Sequence, residues 1–278
     1  MSGGRDRSRP PAPEPLPVDV PDNHTHLDSE ESDAVVAELL AAGAAVGVGR
    51  AVQIGCDLPA ARWTVGALDR HPQLLGGVAL HPNEVPQLVA DGALDAALAE
   101  VRELARHPRV RVVGETGLDH FRTPPEQWHL QEASFRAHIA MAKELGLALQ
   151  VHDRDAHDDV LRVLAEEGAP ERTVFHCFSG DAAVARVCAD AGYYLSFAGT
   201  VTFKNAEPLR EALRAAPREL VMVETDAPYL TPVPHRGRPN AGYLVPHTVR
   251  AMAAVLGADL EELCGQLAAT TEAVYGPW

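Results

Sequence analysis

The chain has 278 residues, of which 46% are hydrophobic, and its 24 Lys+Arg against 39 Asp+Glu give a net charge of −15. This apolar fraction is ordinary for a protein with a packed core and excludes a wholly disordered chain. The negative charge argues against purely electrostatic binding of nucleic acid or of an anionic membrane. It does not argue against a nucleic-acid substrate that metal ions hold. No apolar run reaches the roughly 18 residues of a transmembrane helix.

The amino-terminal segment differs in composition from the rest of the chain. Five of residues 10–17 are proline, which predicts a disordered tail over residues 1–17 that lies outside the fold. The segment has no apolar stretch of the kind that secretory signals contain. The four cysteines lack a Cys-x-x-Cys pair, which is typical of small apolar thiols in a reducing compartment. We therefore expect a cytoplasmic protein with one folded domain over residues 18–278.

From Val18 onward, short β-branched runs alternate with helical patterns. The predicted strands are Val18–Asp22, Ala51–Gly55, Leu74–Leu80, Val110–Gly114, Leu147–Val151, Thr173–Phe175, Tyr193–Phe197 and Leu220–Glu224. The predicted helices are Ser32–Ala42, Leu58–Arg70, Ala93–Arg106, Gln127–Leu145, Asp155–Glu167, Asp181–Ala191, Asn205–Ala215, Val245–Leu256 and Leu260–Leu267. This alternation indicates an α/β fold with a parallel sheet. Eight units can close into a (β/α)₈ TIM barrel, and an open doubly wound sheet is the alternative.

Imidazoles and carboxylates follow most of the predicted strands. They are His24 and His26 after the first strand, His81 after the third, Glu115 after the fourth, His152 after the fifth, His176 after the sixth and Asp226 after the eighth. In parallel barrels the active site forms at these carboxyl ends, and these side chains are ligands of first-row divalent metals. In His24-Thr25-His26, side chains two residues apart point to one face of an extended strand, so both rings can hold one ion. Other histidines, such as His129 and His138, are expected on a solvent-facing helix surface.

Five short motifs follow one another along the chain. They are D-N-H-T-H-L over 22–27, G-E-T-G-L-D over 114–119, H-D-R-D-A over 152–156, H-C-F-S-G over 176–180 and E-T-D-A-P-Y-L over 224–230. In order and spacing they resemble the D-x-H-x-H-L, G-E-x-G-L-D, H-x-R-D-A, H-x-F-S-G and E-T-D-A-P-Y-L motifs of the TatD family of metal-dependent deoxyribonucleases. The resemblance implies an amidohydrolase-type TIM barrel and hydrolysis of DNA phosphodiesters, commonly by a 3′ exonuclease that acts on single strands.

The resemblance also implies a site for two divalent ions, which would be Zn²⁺, Mg²⁺ or Mn²⁺. The first ion would be surrounded by His24, His26, Glu115 and Asp226. The second would be surrounded by Glu115, His152 and His176, with Glu115 bridging both. Two such ions about 3.5–4 Å apart bind a phosphate and generate a hydroxide near neutral pH. In this scheme the catalytic residues are Asp226, which accepts the proton of the nucleophile, and Glu115.

Side chains near the barrel mouth are candidates for substrate binding. They are His81, Arg154, Arg236 and Arg238, with Arg122 and Lys204 as further phosphate contacts. Arg154 can reach a phosphate bidentately, or it can pair with a carboxylate such as Asp155. Tyr229 can stack a base, whereas packing of the barrel rim is the favoured interpretation of Phe178.

Two departures from the family pattern leave the substrate open. Asn83 stands where relatives often have a second His after His-Pro, and Ala241-Gly242 follow Asn240 where relatives often have Glu-Pro. The alternatives are an amidohydrolase-type hydrolase of a small molecule, a hydrolase of an acyl ester on a nucleic acid, and a non-catalytic binding protein. No lysine stands at the Glu115 strand end to form the carboxylated bridge of many amidohydrolases, which favours the nuclease. The sequence predicts no membrane or obligate protein partner.

Overall fold

Eight parallel strands form a barrel in the computed structural model, which describes residues 8–278. The strands are β1 (Asp22–Thr25), β2 (Ala51–Gly55), β3 (Leu74–Val78), β4 (Val110–Asp119), β5 (Ala148–Arg154), β6 (Thr173–Phe175), β7 (Tyr194–Phe197) and β8 (Val221–Val223). They pair in chain order from β1 to β8. A parallel bridge between Thr25 and Ala227 then joins the two ends of the sheet. The predicted TIM barrel is confirmed, and an open doubly wound sheet is excluded.

Helices surround the barrel on its outer side. They are α1 (Asp33–Ala45), α2 (Leu58–Arg70), α3 (Val85–Ala90), α4 (Leu94–Leu104), α5 (Trp128–Leu145), α6 (His157–Glu167), α7 (Ala182–Asp190), α8 (Glu207–Ala215), α9 (Val245–Leu256) and α10 (Leu260–Tyr275). Short 3₁₀ helices cover Leu27–Ser29, Pro125–Gln127, Gly199–Thr202, Arg218–Leu220 and Gly242–Leu244. Within residues 8–278, none of the helices is long and apolar enough to cross a membrane.

Local sequence signals set where several helices begin and end. Helices α1, α2, α7 and α10 each begin after a Ser or Asp whose side chain accepts a backbone N–H of the first turn, which satisfies donors that the helix leaves unpaired. Helices α5 and α9 end at Gly146 and Gly257, whose φ values of 65° and 58° are left-handed. Glycine adopts this conformation without steric cost. The starts of these four capped helices agree with the sequence prediction to within about one residue. In contrast, α10 continues past its predicted end at Leu267 to Tyr275, and α3 was not predicted.

The amino end of the barrel is filled by an apolar layer. Its members are Val52, Ile54, Leu75, Val112, Ala148, Val174 and Met222, with Val274 and Tyr275 from the end of α10. Tyr275 is 1% exposed, and its hydroxyl lies 2.9 Å from Gln150 Nε2. Gln150 Oε1 in turn lies 2.7 Å from His24 Nδ1. Gln150 therefore links Tyr275 of the apolar layer to His24 by hydrogen bonds.

Three predicted strands are wrong at the end that carries polar residues. Strand β1 begins at Asp22, where the prediction ended it, whereas β4 and β5 continue to Asp119 and Arg154. The sequence prediction ended these three strands at Asp22, just before Glu115 and just before His152. In the structure, backbone pairing continues while polar side chains point into the barrel mouth, as at Glu115 and His152. The polar residues thus project from within strands as well as from the loops that follow them.

The proline-rich segment over residues 8–17 lies against the barrel, which corrects the predicted disordered tail over that range. Leu16 is 6% exposed and donates its backbone N–H to Val46 O at 3.0 Å. The Pro10 carbonyl accepts a 2.7 Å hydrogen bond from the Tyr243 hydroxyl. An extended proline-rich chain has no internal hydrogen bonds, so its carbonyls are free to accept from barrel side chains. Residues 1–7 of the predicted tail lie outside the described residues.

The packing of residues 8–17 against the barrel can be tested at Leu16. We expect Leu16→Ala to lower the free energy of unfolding by about 2 kcal/mol, because it removes buried apolar contacts. Urea unfolding of the full chain measures this change. The neighbouring exposed residue provides the control, since Glu14→Ala should change the value by less than about 0.5 kcal/mol. If both substitutions change the free energy of unfolding by the same small amount, the segment does not pack against the barrel.

His138 on α5 is buried, which corrects its predicted position on a solvent-facing surface. Its Nδ1 donates to Ser134 O at 2.8 Å, and its Nε2 accepts from the Leu80 N–H at 3.1 Å. Burial lowers the pKa of His138 to about 4, against a smaller opposing effect of the Ser134 hydrogen bond. The ring is therefore neutral in the folded protein at neutral pH. Its Nδ1 bonds within α5, and its Nε2 joins α5 to Leu80, which follows β3.

A pH dependence of stability follows from this lowered pKa. The unfolded chain binds the His138 proton near pH 6.5, whereas the folded chain binds it only near pH 4. Stability that the neutral ring contributes is therefore present above about pH 6.5 and is lost as the pH falls towards 4. His138→Gln should flatten the pH dependence of the unfolding free energy between these values. His129→Gln, which alters an exposed ring of the same helix, should leave the parent slope, and identical slopes in all three proteins would contradict the assignment.

Candidate metal centre

Four side chains converge at the carboxyl ends of β1, β4 and β8. His24 Nε2 lies 3.1 Å from His26 Nε2. The His26 nitrogen lies 3.4 Å from Asp226 Oδ1 and 3.7 Å from Glu115 Oε1. The His24 nitrogen lies 3.8 Å from the same Asp226 oxygen and 3.9 Å from the same Glu115 oxygen. These two nitrogens and two oxygens form one compact group of donor atoms, which we call the first donor group.

A second donor group forms around the other oxygen of Glu115. His176 Nε2 lies 2.6 Å from Glu115 Oε2, and His152 Nδ1 lies 3.0 Å from it. His81 Nε2 lies 3.9 Å from this oxygen and 3.3 Å from His152 Nδ1. Because Oε1 belongs to the first group and Oε2 to the second, the Glu115 carboxylate stands between the two groups.

Two glycines allow β4 to carry Glu115 close to β5. A Cβ at Gly114 would lie 2.5 Å from Gln150 Cβ, and a Cβ at Gly117 would lie 2.1 Å from His152 O. Gly117 also has a φ of 144°, which side chains disfavour. Asp226 has a φ of 54°, an uncommon value that is often found where a backbone aims a functional side chain. Backbone geometry, as well as side-chain choice, thus brings the donor atoms together.

The hydrogen bonds of the Nδ1 atoms of His24 and His26 determine where the protons lie on these rings. His24 Nδ1 faces Gln150 Oε1, and His26 Nδ1 faces Ile54 O at 3.0 Å. Both partners are acceptors, so both Nδ1 atoms carry a proton. Burial holds the pKa of His24 well below its usual range, so its Nε2 presents a lone pair. Although burial lowers the pKa of His26, Cys56 and Asp226 raise it well above the usual range. The two Nε2 atoms lie 3.1 Å apart, so one proton shared between them, or one cation in its place, occupies the space that both nitrogens face. The donor set therefore fits a divalent first-row metal ion.

Glu224 orients His176 from behind. Its Oε1 lies 3.2 Å from His176 Nδ1 and accepts the Cys177 N–H at 2.8 Å, while its other oxygen accepts from the Ser196 hydroxyl. Glu224 is fully buried. A carboxylate that accepts the outer N–H of a ligating imidazole fixes the ring and increases its basicity. Glu224 therefore points His176 Nε2 at Glu115.

Charges in the centre favour cation binding. Burial raises the pKa of Glu115, but the imidazoles of His176 and His81 lower it further, to well below its usual range. Burial lowers the pKa of His24 well below its usual range, and that of His81 to about 3. Although burial also lowers the pKa of His176, Glu115 and Glu224 raise it well above the usual range. A metal ion must therefore displace a proton from His176, which makes metal affinity increase with pH.

Two polar residues of the centre were missed by the sequence prediction. The Cys56 thiol donates to Glu115 Oε1 at 3.1 Å, and burial raises its pKa, so that it stays protonated. Asp119 Oδ2 lies 3.3 Å from His152 Nε2 and accepts from Asn83 Nδ2 at 3.0 Å. Cys56 directly follows β2, so the rule that found the histidines could also have found this thiol. The interpretation of Cys56 as a purely apolar thiol is wrong.

The predicted substrate-binding arginines differ in what they contact. The Arg154 guanidinium lies over the Phe121 ring at 4.0 Å, and it forms no ion pair with Asp155 or any other carboxylate of residues 8–278. The Arg236 guanidinium lies over the Phe203 ring at 4.2 Å. Both charges are therefore held by aromatic rings and not neutralised by a described carboxylate.

Arg238 contacts the amino-terminal segment. It donates to Ser8 O at 3.0 Å and to Arg9 O at 2.9 Å, so in this conformation its guanidinium is engaged by that segment. Phe178 is 2% exposed and packs in the barrel rim, which confirms the favoured interpretation. Tyr229 is 61% exposed, with its ring 6.3 Å from that of His26.

Comparison with known proteins agrees with this geometry. Residues 21–276 match the family described as "TatD related DNase". The chain belongs to the TatD family. It is 44% identical over 268 residues to the uncharacterized metal-dependent hydrolase TatD of Mycobacterium tuberculosis, an alignment that covers 92% of this chain and 97% of the relative. It is 37% identical to YcfH of Escherichia coli K12, which carries the same metal-dependent hydrolase description, over 87% of this chain and 90% of that relative.

Solved structures show the same fold. The TatD homologue YjjV of Escherichia coli K12 superposes with a TM-score of 0.86 at 23% identity, over 93% of this chain and 98% of that chain. A TatD-family hydrolase of Entamoeba histolytica superposes with a TM-score of 0.81 at 16% identity, over 95% of this chain and 100% of that chain. The protein is therefore a TatD-family metal-dependent hydrolase with a TIM-barrel fold.

The role of Glu224 in this TatD-family hydrolase can be measured directly. We expect Glu224→Ala to weaken Zn²⁺ binding by about 10- to 100-fold, because the outer nitrogen of His176 loses its acceptor. Calorimetric titration of chelator-treated protein gives the affinity. Glu219→Ala changes an exposed residue before the same strand and should bind Zn²⁺ as the parent does. Parent affinity in a folded Glu224→Ala protein would rule out this orienting role.

Proposed function

We propose that this TatD-family hydrolase cleaves phosphodiester bonds of single-stranded DNA from the 3′ end with two divalent metal ions, which are Zn²⁺, Mg²⁺ or Mn²⁺. His24, His26, Glu115 and Asp226 would hold the first ion, and Glu115, His152 and His176 the second. The observation that carries the proposal is the position of Glu115, which has one carboxylate oxygen in each donor group. Two ions of this kind bind a phosphate between them and lower the pKa of water.

Asp226 and Glu115 have different roles in the proposed reaction. The Asp226 side chain is 14% exposed and the Glu115 side chain 6%, so Asp226 is the carboxylate nearer to solvent and substrate. It accepts the proton of the attacking water as a general base. Glu115 remains ionised, since the surrounding imidazoles hold its pKa well below the usual range. Its charge offsets part of the cationic charge and keeps both donor groups together.

The chemistry of the mouth supports a nucleic-acid strand as substrate. His81 is neutral, with a pKa of about 3, and its position beside Glu115 and His152 allows it to donate a hydrogen bond to a phosphate oxygen. Arg154 and Arg236 contribute positive charge beyond the metal centre. Tyr229 exposes an aromatic face that an unpaired base can stack on. Although the whole chain carries a charge of −15, bound cations reverse the sign locally.

A cleavage assay with end-labelled single-stranded DNA tests the proposal. We expect trimming from the 3′ end with Mg²⁺, Mn²⁺ or Zn²⁺ and none with EDTA. Glu115→Gln should reduce the rate by at least about 100-fold, because a neutral amide cannot offset the charge of two cations. Mass spectrometry of metal content should find two ions per parent chain and fewer in the variant.

Glu126→Gln is the matched control, because it makes the same change at an exposed position and should keep the parent rate. Cleavage by Glu115→Gln at the parent rate would refute the role of Glu115. A parent protein that holds metal but cleaves no DNA would refute the nuclease and favour an acyl-ester or small-molecule substrate.

A further inference from the structure

Exposed aromatic side chains lie beside the metal centre. Among residues 8–278, only a few large apolar side chains are exposed, namely Val89, Phe121, Val187, Tyr229 and Val233. Two of these are aromatic, Phe121 at 63% and Tyr229 at 61% exposure. Each follows a region that supplies the donor groups, since Phe121 comes just after β4 and Tyr229 three residues after Asp226. Single exposed apolar residues are normal on protein surfaces, so position and partners must decide what these rings do.

Phe121 is fixed to the second donor group by short connections. Its backbone N–H donates to Asp119 Oδ1 at 3.1 Å, and Asp119 Oδ2 lies 3.3 Å from His152 Nε2. The neighbouring His120 N–H donates to Arg154 O at 2.9 Å. The loop that bears Phe121 is thus tied to both β4 and β5, the strands that carry Glu115 and His152. The backbone that bears this exposed ring is therefore held beside the second donor group, and the Arg154 guanidinium lies against the ring.

Arg154 completes a platform for a ligand. Its guanidinium lies 4.0 Å from the Phe121 ring centre, and a stacked guanidinium keeps its N–H groups available around the edge of the stack. Within the described chain no carboxylate pairs with it. A phosphate can therefore accept from these N–H groups bidentately. The rest of the Phe121 ring remains open to a second flat group.

The net charge of the chain makes such a platform useful. A protein of charge −15 gains little from long-range attraction of a polyanion. Aromatic stacking does not depend on charge, and every base has a face that can stack. In a duplex both faces are already covered by neighbouring bases, whereas an unpaired base near a strand end is free to stack on a protein ring.

We propose that Phe121 and Arg154 form a nucleotide subsite beside the second donor group. An unpaired base stacks on the exposed surface of the Phe121 ring, and a phosphate of the same strand accepts hydrogen bonds from Arg154. The subsite rests on the proposed nuclease function and deepens it, because it gives a physical reason for a preference for single strands. Neither residue takes part in metal binding, so their effects are separable from those of the metal centre.

Binding of a cleavage-resistant strand tests the subsite without turnover. The probe is a fluorescently labelled phosphorothioate oligodeoxynucleotide, and its partner is the same strand with abasic sites near the 3′ end. Fluorescence anisotropy gives Kd for each. We expect Phe121→Ala to weaken binding of the normal strand about tenfold and to leave binding of the abasic strand unchanged, because only the former has a base to stack. Phe121→Trp should keep the parent affinity, and Val187→Ala, which alters an exposed residue on α7, should change nothing.

The salt dependence of Kd distinguishes the phosphate contact of Arg154 from the stacking contact of Phe121. Arg154→Gln should lower the slope of log Kd against log salt by about 0.7, the value for one phosphate contact on a single strand. Phe121→Ala should leave that slope unchanged. A slope that is the same in Arg154→Gln and the parent would refute the phosphate contact.

The kcat for hydrolysis of saturating bis(p-nitrophenyl) phosphate supplies a readout of the metal centre, whereas its KM can include stacking of its own aromatic rings. Phe121→Ala should raise KM for a cleavable oligonucleotide and keep the parent kcat for this small diester. Equal losses on normal and abasic strands, a matching loss of kcat on the small diester, or a parent that binds neither strand would each overturn the subsite. If the parent shows base-dependent binding but does not cleave a natural strand, the nuclease proposal fails and the subsite stands.

Discussion

The structure depends on one buried carboxylate placed between two sets of imidazoles. Glu115 is 5% exposed, and an ionised carboxylate at such depth is strongly unfavourable unless charge and hydrogen bonds compensate it. Here imidazole nitrogens, the Cys56 thiol and, in the proposed function, two cations provide that compensation. The barrel brings the required residues from five different strands or strand ends to one point. No single segment of the chain could assemble this set by itself.

Outer contacts keep this arrangement from relaxing. Gln150 joins His24 to the buried Tyr275, and Glu224 joins His176 to the next strand through Ser196. Each of these side chains is buried and hydrogen-bonded, so moving one leaves a polar group unsatisfied, which is costly in a low-dielectric interior. The inner nitrogens are therefore held in place by the hydrogen bonds of their outer nitrogens.

The sequence predicted the barrel and the convergence of its ligands because both follow from simple periodic rules. Eight apolar runs alternate with capped helices, and parallel strands bring their carboxyl ends to one face. Strand ends were harder to predict, since β4 and β5 continue through Glu115 and His152, which composition alone would assign to loops. Burial of His138 was missed because a histidine pattern does not show which backbone groups will face the ring. The packing of residues 8–17 depends on hydrogen bonds from residues distant in the sequence, such as Tyr243, to backbone carbonyls of the segment. No local sequence pattern reveals such partners.

The proposed stacking subsite is the feature that the sequence predicted least, and the reason is physical. Metal ligands must be His, Asp, Glu or Cys, so their identities are constrained and visible in a sequence. A stacking surface needs only an aromatic ring with a free face, and the same residue type more often fills a core. Phe178 and Phe121 are chemically identical, yet one is 2% and the other 63% exposed. Only the fold determines which of the two rings is exposed. Hydrogen bonds to Asp119 hold the loop that bears Phe121 at the surface, whereas Phe178 packs into the barrel rim. In the proposed function, a chain of charge −15 acts on a polyanion. Such rings would then provide binding free energy that long-range electrostatics cannot, and only where a base is unpaired.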